Sequence, residues 1–62
     1  MTTAEDQRRY DDAHEKGRQA RRAGRKRPDN PYRGSTQLVR NLHQQWDLGW
    51  LAQDAEQRRA AV

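Results

Sequence analysis

Tyr10, Ala13, Gly17, Ala20 and Gly24 follow one another at alternating steps of three and four residues, a spacing that puts all five on one stripe of an α-helix. Most of that stripe is small. A glycine inside a helix costs about 1 kcal/mol relative to alanine, so Gly17 and Gly24 on the packing face predict a close neighbour that needs the room. The helix is expected from about residue 3 to 27, with Thr2 three residues before Glu5 as in a capping box and Pro28 as its stop.

The neighbour is expected further along the chain. "RPDNPYRGST", residues 27–36, holds both prolines and a glycine, the composition of a loop, here placed at 28–35. Ser35 or Thr36 then caps a second helix over about 36–59. Leu38, Val39, Leu42, Trp46, Gly49 and Trp50 share a face of it, bulky groups that fill the space left by the small stripe. The expected fold is therefore all-α: a two-helix hairpin joined by a Pro/Gly-containing loop, in one domain over residues 1–62. With 62 residues, no Phe and no Cys, such a chain has little core to spare, so Trp46 and Trp50 are read as core rather than as platforms for nucleic-acid bases. Leu48, Leu51 and Ala55 fall on a second face, to be covered by the loop or by a partner.

Charge is distributed unevenly. Residues 1–15 carry a net −3, residues 34–62 are neutral, and residues 16–33 set eight basic side chains against Asp29 alone. On the expected helix Arg18, Arg21, Arg22 and Arg25 cluster away from the small stripe, and Lys26 and Arg27 continue past them. Glu15 reaches Arg18 and Asp12 reaches Lys16 within one turn, whereas Arg21, Arg22 and Arg25 have no acid at that spacing. Guanidinium forks suit phosphate oxygens, and a row of them suits a nucleic-acid backbone. Tyr32 and Arg33 extend the candidate RNA-binding set.

Other function classes fit poorly. There is no G-x-x-x-x-G-K-[ST] loop for a nucleotide. His14 has no Ser or Cys on its segment to act as a nucleophile, so no enzyme activity, cofactor or small-molecule substrate is expected. Asp47 and Asp54, two turns apart, read as solubilising carboxylates, and two histidines without cysteine are too few for a metal site. The first ten residues lack the pattern of a secretory signal and no stretch has membrane-spanning length, so a soluble, cytoplasmic protein without membrane contact is expected.

The pattern A-H-x-x-G-x-Q-A-x-x-A-G-R (Ala13, His14, Gly17, Gln19, Ala20, Ala23, Gly24, Arg25), then five residues, then Pro31-Tyr32, then W-x-x-G-W (Trp46, Gly49, Trp50) resembles the ribosome modulation factor family. The resemblance covers about residues 13–55. It implies a two-helix bacterial protein that binds ribosomal RNA near its end in the small ribosomal subunit, interferes with messenger binding and promotes the hibernation of ribosomes as dimers. Two alternatives stand beside it: a generic nucleic-acid-binding hairpin, and a small antibiotic-modifying protein of similar fold.

Overall fold

The computed structural model describes residues 3–61. Helix α1 spans Ala4–Arg22 and helix α2 spans Gln37–Ala60, with a single 3-10 turn at Arg27–Asp29 between them. The described residues thus form the expected all-α pair of helices joined by a Pro- and Gly-containing connector. No described helix is long and apolar enough to cross a membrane.

The cap of α1 is Thr3, whose Oγ1 accepts the Asp6 amide at 3.1 Å; Thr2, the expected cap, lies outside the described residues. Glu5 and Asp6 in the first turn and Arg21 and Arg22 in the last oppose the helix dipole favourably. Helix α2 starts at Thr36, whose Oγ1 accepts the Val39 amide at 3.2 Å, as the sequence led us to expect.

The far end of α1 departs from expectation, for the helix stops at Arg22 rather than Arg27. Gly24 adopts φ 81°, and around it the Arg25 amide bonds to the Ala20 carbonyl at 2.9 Å while the Gly24 amide bonds to Arg21 at 3.1 Å. This is a Schellman cap, in which a residue without Cβ enters the left-handed region freely and satisfies the last carbonyls. Gly24 is consequently not a packing residue: it is exposed, and a Cβ built on it would meet nothing within 4 Å.

Gly17 and Gly49 do meet a neighbour. A Cβ on Gly17 would land on the Trp46 carbonyl and lie 2.9 Å from the Trp50 nitrogen, and one on Gly49 would land on the His14 carbonyl. Two helices therefore cross with backbone against backbone. Ala13 is fully buried and Trp46 is 2% exposed at this crossing. Burying an aromatic ring of about 200 Å² at ~25 cal/mol per Å² contributes on the order of 5 kcal/mol, so Trp46 is a dominant stabilising side chain in so small a domain. Tyr10, Ala20, Leu38, Val39, Leu42 and Trp50 are half-buried around it.

Pairs across the helices fix their relative direction. Tyr10 Oη accepts from Asn41 at 3.2 Å, Arg18 reaches Gln53, and Arg21 reaches Asp54 at 2.9 Å. Residue numbers rise together along the contact, so the reversal of the chain is made by the connector and not by a tight turn. The connector runs back down α2, pinned at successive points. Trp50 Nε1 donates to the Arg25 carbonyl at 2.9 Å, Asn30 Nδ2 donates to the His43 carbonyl at 2.9 Å and to Asp47 Oδ1 at 3.1 Å, and the His43 ring pairs with the Tyr32 carbonyl at 2.9 Å. Gly34 lies beside the Val39 side chain.

Candidate nucleic-acid interface

Two cations of α1 are engaged by α2. Arg18 and Arg21, expected to face a partner, are instead turned onto α2. Arg18 bonds Gln53 and pairs with Glu56 at 3.0 Å, while Arg21 pairs with Asp54 at 2.9 Å and lies over the Trp50 ring, 5.5 Å from its centre. Their acids lie more than thirty residues away in sequence, which is why a search within one turn leaves Arg21 unpaired. Arg22 sits 3.9 Å from Glu15 and Arg27 3.7 Å from Asp47, both about half exposed. Such exposed pairs contribute only about 0–1 kcal/mol each, and they offset charge more than they hold the fold.

Asp47 and Asp54 are likewise not the solubilising carboxylates the sequence suggests. Asp54 is buried and takes Arg21 on one oxygen and Arg58, at 3.0 Å, on the other. Asp47 receives Asn30, Arg27 and the His43 ring. Asn30, only 2% exposed, uses both ends of its amide, its Oδ1 accepting the Tyr32 amide at 2.9 Å. A buried amide with every contact made can lock a segment in place. Nothing in the sequence singles out Asn30 for this, since its partners lie 13 and 17 residues on.

Of the cations with no carboxylate within 4.0 Å among the described residues, Arg8 lies on α1 and Arg59 near the end of α2, and the other four, Arg25, Lys26, Arg33 and Arg40, gather on the connector and the start of α2. Arg33 makes one long contact, 3.5 Å to the Pro28 carbonyl. Three of the four were expected at the interface. Arg40 was not, because its helix is neutral when summed along the chain. The signal that finds it is local: Arg40 and His43 are one turn apart on α2, the spacing of a shared face.

Arg25, Arg33 and Arg40 border two grooves. One, of about 350 Å³, has Ala20, Ala23, Pro31 and Trp46 as its apolar lining and Lys16 and Arg25 among its polar residues. The other, of about 310 Å³, is lined by Tyr32, Arg33, Gly34, Arg40 and His43. Lys16 pairs with Asp12 at 2.9 Å, and its pKa is raised above the usual lysine value, first by that hydrogen bond and then by the nearby Tyr32 side chain and the Asp12 charge. Pro31 and Tyr32 are adjacent residues, so the grooves lie on either side of one ridge.

Trp46 and Trp50 belong to the helix crossing, as expected, and the second has its indole N–H engaged by the connector. Leu48 and Leu51 stay 45% and 39% exposed, so the connector does not cover that face. No three of His, Cys, Asp and Glu converge among the described residues. Comparison with protein-family models, with curated proteins and with solved structures finds no match for the chain.

Proposed function

We propose that the protein is a ribosome-associated factor that binds ribosomal RNA of the small subunit and down-regulates translation, as a binding protein without catalytic chemistry. The observation that carries the reading is the collection of unpaired cations Arg25, Lys26, Arg33 and Arg40 on the connector and the start of α2. Asp47 and Asp54 are engaged within the fold, Asp29 is the one acid of the connector and accepts the Lys26 amide, and the net positive field of the connector is left for a polyanion. The sequence pattern resembling the ribosome modulation factor family spans the residues that build this frame: Gly17 and Gly49 at the crossing, Gly24 at the cap, Pro31-Tyr32 on the ridge.

Sedimentation of a lysate containing tagged protein through a sucrose gradient tests the proposal. Co-migration with small subunits, resistant to competition by bulk RNA, is expected. Because phosphate contacts carry no sequence information, a generic nucleic-acid binder would distribute with all RNA and be displaced by the competitor. Absence from every ribosomal fraction would overturn the ribosomal assignment.

A further inference from the structure

The two grooves divide the work of binding a strand differently from a flat basic patch. A patch of surface cations attracts phosphates and is indifferent to bases. Here unpaired arginines adjoin recesses. Arg25 borders one whose lining includes Pro31 and Trp46, together with Asp29 and a Lys16 already paired with Asp12, and Arg33 and Arg40 border one that includes Tyr32. Each is near the lower end of the range of about 300–1,000 Å³ in which small ligands are held, which suits one nucleotide and not a helical duplex.

The ridge between them is fixed. Asn30 is tied to His43 and Asp47 of α2 and to the Tyr32 amide, and His43 is tied to the Tyr32 carbonyl. Pro31 adds a backbone angle that cannot rotate. A rigid wedge with a recess on each side admits two neighbouring bases only if they are unstacked from one another, which a duplex does not allow and a single strand does.

From this geometry we infer that the Pro31-Tyr32 ridge splays two consecutive nucleotides of a single-stranded polynucleotide, one into each groove, with Tyr32 stacking a base and Arg25, Arg33 and Arg40 holding the flanking phosphates. This rests on the polynucleotide binding proposed above and assigns Arg40 and His43 to the site, with His43 a positioning residue that acts through Tyr32.

Fluorescence anisotropy with a labelled single-stranded RNA of twelve nucleotides, its duplex, and an abasic strand of equal length tests it. The single strand should bind about tenfold or more tightly than either of the others. Tyr32→Ala, whose side chain makes none of the bonds that pin the connector, should lose the preference over the abasic strand and keep the abasic affinity. Arg40→Gln should weaken single-stranded and abasic strands alike by several-fold. A wild-type protein that binds the abasic strand or the duplex as well as the single strand overturns the ridge and leaves a phosphate-binding patch, as does a Tyr32→Ala variant that keeps the preference. Failure to bind any strand overturns both this inference and the binding it rests on. Binding to the single strand by a protein that misses every ribosomal fraction overturns only the ribosomal assignment and upholds the grooves.

Discussion

The helix crossing and the connector are held by different physics. At the crossing, backbone meets backbone through Gly17 and Gly49 while Trp46 fills the space beside them, and stability comes from shape and buried apolar area. Along the connector few apolar side chains are buried, and the chain is held by Asn30, by the Trp50 indole and by His43. The difference extends to charge. Arg18 and Arg21 flank the crossing and are committed to acids of α2, whereas on the connector only Arg27 meets a carboxylate, at 3.7 Å, and Arg25, Lys26 and Arg33 meet none among the described residues. One basic stretch of sequence thus divides between cations that hold the fold and cations left to solvent.

Trp46→Ala should break the first region outright. Emptying a buried indole site costs about 3–5 kcal/mol, comparable to what the core of so small a domain supplies, so cooperative thermal unfolding followed by circular dichroism should disappear. Retention of the wild-type melting curve would remove Trp46 from the core.

Gly17→Ala comes next. Its Cβ meets carbonyl and amide atoms of α2 rather than the end of a flexible side chain, so the helices must separate, at about 1–3 kcal/mol or more, despite alanine's better helix propensity. A melting temperature at or above wild type would contradict the close approach.

Asn30→Ala separates the two regions. It removes three hydrogen bonds, two donated by Nδ2 and one accepted by Oδ1 of its buried side-chain amide, and should cost about 1–3 kcal/mol, felt locally. Hydrogen exchange should accelerate over residues 25–34 while the amides around Gly17 and Gly49 keep their protection. Uniform acceleration would mean that crossing and connector unfold as one unit.

Gly24→Ala should cost less, about 1–2 kcal/mol, because the strain of a left-handed alanine is its only penalty in open space. The contrast with Gly17 is the useful measurement. Equal losses at both positions would indicate that Gly24 also packs.

The smallest effect on stability, within about 0.5 kcal/mol, is expected for Arg25→Gln with Arg40→Gln, and this pair should act on binding instead. Two lost contacts to a single strand lower the log–log salt slope by roughly 1.4, at about 0.7 each, whereas Arg18→Gln with Arg21→Gln should leave the slope near its wild-type value. Equal slopes for the two double variants would erase the division of charge between the regions.

What the sequence determined by itself is whatever local periodicity and local chemistry control. The 3–4 spacing of Ala13, Gly17 and Ala20 defines a helix face, Thr36 marks a start, and the Leu42, Trp46, Gly49 and Trp50 stripe identifies what fills the space beside that face. Each of these is decided within a turn or two of helix. Gly24 lay on the same stripe and was misplaced for the same reason: spacing cannot tell a glycine that makes room from one that turns the backbone left-handed. Only the tertiary structure decided which cations are free, because the acids that engage Arg18 and Arg21 are more than thirty residues distant. It also decided that the connector returns along α2, since Asn30 finds its partners only once α2 lies beside it. Electrostatic and hydrogen-bond pairing depends on distance through space, and over such separations the linear order of the residues does not determine it.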